Sequence, residues 1–161
     1  MPLIRTASWR VALCGPADPI GISRGTPRRA SGYRRLRMLE PGNWFRSVPP
    51  ARFLALYSEI LDRLEPAEIY NRLIGLGDHP VLLCWEKASD CHSGTALCHR
   101  HLVAQWLEDR LGIEVPEVGH PKLDRFAFLR KQGIPVPDYR AATTGKLQIV
   151  SDNVASRNQK W

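Results

Sequence analysis

Pro80-Val81-Leu82-Leu83-Cys84-Trp85 decides the architecture of this chain. The run is apolar without alternation, so the strand it forms buries both faces, as interior strands of parallel sheets do. Downstream, Glu86–Gly94 reads as a loop at the carboxyl end of that strand. Thr95 is then the expected cap of a helix carrying Cys98-His99-Arg100, with Val103, Trp106, Leu107 and Leu111 on its inner face and Gly112 as its stop. Ile113–Val118 reads as the next strand, which would complete a right-handed βαβ unit. A further helix is expected over Leu123–Lys131.

Upstream, Pro66 opens a short helix with Ile69, Leu73 and Leu76 inward, ended by Gly75 and Gly77. Before it, Phe53, Leu56, Tyr57, Ile60, Leu61 and Leu64 recur at helical spacing, with Ser47 as cap and Pro49 and Pro50 in the first turn. Leu3–Trp9 and Pro19–Ser23 are two earlier strands, the second running into the loop Arg24–Arg29. The expected fold class is α/β: a single domain over residues 1–150, a mainly parallel sheet flanked by helices. Residues 151–161 read as a polar tail.

The 161 residues carry a formal net charge of +7, are 43% hydrophobic and 24% charged. That composition suits a globular domain and excludes wholesale disorder. No apolar run approaches the roughly 20 residues that span a bilayer, so no membrane partner is expected. Met1–Arg10 lacks the apolar block of a signal peptide, which makes a cytoplasmic location the expectation. Cys14, Cys84, Cys91 and Cys98 then read as free thiols, with Cys14 expected to be buried and inert. Nothing in the pattern fixes an oligomeric state.

The positive charge is local. Six arginines and no acidic residue lie between Arg24 and Arg37. The planar guanidinium suits phosphate, so nucleic acid or a nucleotide is the expected partner. Trp85, Trp106, Trp44 and Tyr33 offer faces for a base, although the phase of Trp106 puts it in the core.

The chemistry-bearing residues fall in two loops. Ser23, Arg24, Thr26 and Arg28 follow the early strand and read as anion-binding. Cys98 is expected in a first helical turn, where the dipole and neighbouring cations favour a thiolate nucleophile. Arg100 beside it reads as anion-binding, and Glu86 as a general base. Parallel strands put their carboxyl ends on one edge, so both loops are expected to share one pocket. That requires an Arg100 guanidinium not already consumed by a buried ion pair. Cys91 opens no phosphatase loop, because Leu97 stands where arginine is needed. Cys84, Cys91, His92, Cys98, His99 and His101 are zinc-type residues, yet they contain no Cys-x-x-Cys pair. No metal or other cofactor is therefore expected. A non-catalytic sensing module and a metal protein using Cys84, Cys98 and histidines stand as alternatives.

Val81-Leu82-Leu83-Cys84-Trp85-Glu86 together with Cys98-His99-Arg100-His101-Leu102-Val103 resembles the domain-of-unknown-function family 488. That family ends a strand in Leu-Leu-Cys-x-Glu and opens a helix with Cys-His-Arg. Ile22-Ser23-Arg24-Gly25-Thr26-Pro27-Arg28 is similar to its Ser/Arg/Pro loop. The resemblance spans roughly residues 19–118 and implies an α/β fold with a shared pocket. Two departures stand out: Ile4–Trp9 lacks the family's Tyr-Thr-Ile-Gly-His opening, and Glu86 lies far from Cys98, with Cys91 a second candidate for the motif cysteine.

Overall fold

A computed structural model describes residues 2–29 and 33–140. The expected tail and the end of the expected domain lie outside those residues. Among the described residues, four strands form one parallel sheet: β1 (Arg5–Ser8), β2 (Asp18–Gly21), β3 (Arg34–Arg35) and β4 (Pro80–Cys84), in the order β1-β4-β2-β3. All five residues of β4 are buried, as its sequence requires. The helices are α1 (Pro50–Asp62), α2 (Pro66–Leu76), α3 (Ala88–Ser93), α4 (His99–Leu111) and α5 (Ala127–Lys131). The chain is thus α/β, and no described helix is long and apolar enough to cross a membrane.

Strand alternation sorts the core. Leu82, Ile4, Ile20 and Ile22 pack with Tyr57, Leu61, Ile69, Leu73, Trp106 and Leu107 from α1, α2 and α4. Val81, Leu83 and Ala7 point the other way, where Trp9, Leu13, Ala17 and Val118 cover them. The central helix α4 is buried on almost every side, including His99, Arg100 and His101.

Several boundaries differ from the sequence reading. Glu86–Gly94 is not all loop, because Ala88–Ser93 forms α3, which ends at Gly94 with φ +82°. Thr95 does not cap α4; Cys98 does, with extended φ and ψ and no side-chain hydrogen bond. Ser47 closes a short 3-10 turn, and Pro49 precedes α1 instead. The apolar phase of Leu123–Lys131 overestimates its helix, which begins at Ala127.

Ile113–Val118 is not a strand. It pairs with β1 only at Thr6, through Thr6 N–H to Pro116 O (3.0 Å) and Val118 N–H to Thr6 O (2.9 Å). Pro116 has no N–H to extend the ladder, and Gly119 turns away at φ +75°.

Side chains complete what the backbone leaves unmade. Glu117, 5% exposed, accepts from Arg100 Nη2 at 2.7 Å, from Arg100 Nε, from His101 Nε2 at 3.0 Å and from the Thr6 hydroxyl. Arg100 Nη1 donates to Glu86 O at 2.8 Å. Burial alone would raise the Glu117 pKa, but the bonds from His101 and Arg100 outweigh it and hold the carboxyl well below its ordinary 4.5.

Arg100→Met strands that carboxylate and is expected to cost about 3–5 kcal/mol, while Arg100→Met with Glu117→Leu recovers most of the loss. Urea midpoints of the wild type, single and double variants measure both. Below pH 4.5 the unfolded chain protonates at position 117 before the folded one does, so stability falls with pH there. A Glu117→Gln chain should lack that component in acid titrations followed by circular dichroism.

Candidate functional site

The two strand ends meet. A cavity of about 400 Å3 opens at the carboxyl ends of β2 and β4. One wall is Ser23, Arg24 and Gly25; another is Cys84, Trp85 and Glu86; Thr95, Ala96, Leu97 and His99 close it from the start of α4. Phe45, Arg46 and Val48 with Pro50 and Phe53 of the first turn of α1 supply another side, and Phe128 reaches in from α5.

The early loop is held by polar bonds on each side. Ser23 Oγ donates to Gly25 O (2.6 Å) and accepts from Trp9 Nε1 (2.9 Å), so its hydroxyl is engaged within the protein. Trp85 Nε1 donates to Gly25 O at 3.0 Å. Arg35, paired with Glu40, donates to Ser23 O and Arg24 O at 3.2 and 3.0 Å. Arg24 is exposed and donates from Nη1 to Pro41 O at 3.2 Å. Arg46 is exposed over the Phe45 ring at 5.0 Å.

The Cys-His-Arg segment enters the site differently from the sequence expectation. Arg100 is a correction: it is 0% exposed and bound to Glu117 and Glu86 O, so it presents no donor to a pocket ligand. Cys98 is also corrected. It precedes the first helical turn, is 1% exposed and does not line the cavity, which removes it as an accessible nucleophile. His99 lines the cavity in their place. Its Nε2 donates to Ile22 O at 2.8 Å, which leaves the Nδ1 lone pair facing Cys84 Sγ at 3.4 Å. Burial lowers its pKa to about 4, so the imidazole is neutral.

Glu86 does line the cavity, with Oε2 3.3 Å from Cys84 Sγ. Burial would raise its pKa, but hydrogen bonds from Cys98, its own backbone and Cys84 lower it, so it is an ionised acceptor. Burial pushes the Cys84 thiol well up and the Cys91 thiol to about 12. Thr26 and Arg28 lie outside the lining, as do Trp44 and Tyr33; Trp106 is core. Cys14 is exposed rather than buried, since the segment after β1 runs over the surface.

Arg46, Phe45 and Phe53 are site residues that the sequence reading passed over. The neighbouring Trp44-Phe45-Arg46 was a usable signal, an aromatic pair with a cation in an irregular stretch. The absence of a Cys-x-x-Cys pair also proved a poor guide to proximity. Cys84 Sγ, Cys98 Sγ and His99 Nδ1 all lie within 4.8 Å of one another, although Cys84 and His99 are 15 positions apart.

Neither family models nor curated proteins nor solved structures give a match to this chain. With one exposed cysteine and three buried ones, a thiol reagent should modify one group in the native protein and four after unfolding. Mass spectrometry of the labelled chain, with Cys14 as the expected early site, checks this; rapid native labelling at Cys98 contradicts the burial.

Proposed function

We propose that the cavity binds a phosphate-bearing ligand, a nucleotide or the end of a nucleic-acid strand. The observation that carries this reading is the pairing of two exposed cations, Arg24 and Arg46, with aromatic walls around one cavity. Its volume of about 400 Å3 lies within the range of small-molecule sites, and it occupies the strand-end position where parallel sheets bind ligands. Phosphate fits the guanidinium rim. A base fits against Trp85, Phe45 or Phe53. Glu86 is the one carboxylate among the described lining residues, placed to accept from an amino or hydroxyl group. It is the candidate general base if the ligand is also a substrate.

Arg28, Arg29 and Arg37 are exposed outside the cavity lining, and Arg34 is exposed beside Asp18 and His79 at the amino ends of β2 and β4. They extend the field beyond the cavity, which suits a polyanion longer than one nucleotide. The resemblance to family 488 belongs to this reading, since it implies a pocket shared by the same two motifs. A sensing module without chemistry is the second reading, favoured by the burial of Cys98.

Arg24→Ala and Arg46→Ala should each weaken nucleoside monophosphate binding about tenfold, the effect of losing one charge-assisted hydrogen bond. Arg28→Ala should leave mononucleotide binding unchanged but weaken short oligonucleotides. Fluorescence titration over a salt series measures all three. Absence of binding at low salt, or affinity indifferent to salt, overturns the reading.

A further inference from the structure

We infer that Cys84, Cys98 and His99 form a three-ligand zinc site at the base of the cavity, with its remaining coordination position open toward the bound ligand. The inference stands apart from the phosphate reading, because it rests on a different set of atoms. It also reverses the expectation of no metal that ligand spacing suggested.

The spacing of the donors is compatible with a tetrahedral face closing around an ion. Zinc–sulfur bonds of about 2.3 Å and zinc–nitrogen bonds of about 2.0–2.1 Å give ligand–ligand edges of roughly 3.5–3.8 Å. The Cys84 Sγ to His99 Nδ1 distance is 3.4 Å, and all three donor atoms fall within 4.8 Å of one another. Two thiols and a neutral imidazole form a soft donor set, which selects zinc over magnesium or calcium.

His99 is set up as a ligand. Its Nε2–H is fixed on Ile22 O at 2.8 Å, so Nδ1 carries the lone pair and faces the sulfurs. Ligating histidines are commonly oriented in this way by an outer backbone carbonyl. The donors also come from rigid elements. Cys84 ends β4, whose residues are all buried, while Cys98 caps α4 and His99 is its first residue, and Arg100 pins that helix start to Glu117.

The open face follows from which ligands reach the cavity. Cys84 and His99 line it, whereas Cys98 does not. Glu86 lines it too, 3.3 Å from Cys84 Sγ, outside the three-donor set and positioned to accept from a metal-bound water. Three protein ligands with a free position are the arrangement of reactive rather than purely structural zinc. Two thiolates balance the divalent charge of the ion itself, and the Glu86 carboxylate beside Cys84 is a further negative charge at the site.

The test uses the full chain, produced under reducing conditions and measured by elemental analysis before and after dialysis against zinc ion or cobalt(II) ion alone. Close to one zinc per chain is expected. Cobalt(II) should give thiolate charge-transfer absorption and the intense visible bands of tetrahedral coordination. Cys98→Ser should lower zinc affinity by more than the roughly 10–100-fold that losing an outer-shell partner costs. Cys14→Ser, at an exposed position, should leave affinity unchanged. If Cys98→Ser fails to fold, the cobalt spectrum of the wild-type chain decides alone. A folded wild type with four reduced thiols that takes up neither ion overturns the site, as does a weak, octahedral cobalt spectrum or a Cys84–Cys98 disulfide in the freshly isolated protein. No nucleotide is present in these measurements, so failure of nucleotide binding leaves their outcome untouched.

Discussion

Glu117 is a buried carboxylate, and the arrangement of the cavity depends on its being satisfied. Taking a carboxylate and a guanidinium out of water costs several kcal/mol per ion, which their attraction offsets only when the remaining lone pairs and protons are also bonded. Here Arg100 approaches with Nε and Nη2, His101 and Thr6 add a bond each, and the last guanidinium nitrogen finds Glu86 O. Glu117 and Arg100 together tie the edge strand, the start of α4 and the backbone leaving β4. Cys84, Glu86 and His99 take their positions from those three attachments.

The opposite wall is fixed by bonds to backbone carbonyls and to the Ser23 hydroxyl. Trp9 and Trp85 each turn an indole N–H onto the Ser23–Gly25 loop, Arg35 braces the same backbone, and His99 bridges across to Ile22. Because the strand ends are cross-linked by directional bonds, a ligand would meet a cavity already shaped, with little ordering left to perform. The charges divide accordingly. Arg35 and Arg100 are used in ion pairs within the protein, while Arg24, which keeps one bond to Pro41 O, and Arg46 are exposed along the cavity.

Apolar periodicity carried much of the fold. The unbroken run of β4, the face of α1 through Tyr57 and Leu61 and the Gly112 stop of α4 all agree with the structure, because they are local consequences of burial and backbone geometry. The polar α3 was missed since Ala88–Ser93 has no apolar stripe, and the strand expected at Ile113–Val118 failed at Pro116. In the candidate site, Glu86 and Arg24 are legible as lining residues, but the Cys-His-Arg motif reaches the cavity through buried His99 rather than through Cys98 or Arg100.

The sequence by itself determined the α/β class, the buried central strand and the basic segment, which follow from composition and periodicity. The two strand-end loops do line one cavity, but the shared anion site expected there fails on its own condition, because Glu117 consumes Arg100. Which side chain of a helix start faces a ligand depends on the helix's rotation about its axis, and packing sets that. Only the tertiary structure decided that Arg100 turns inward to Glu117, that His99 turns toward the cavity, and that Cys84 and Cys98 come together across elements. Pair distances between residues far apart in the chain are properties of packing, and no local pattern encodes them.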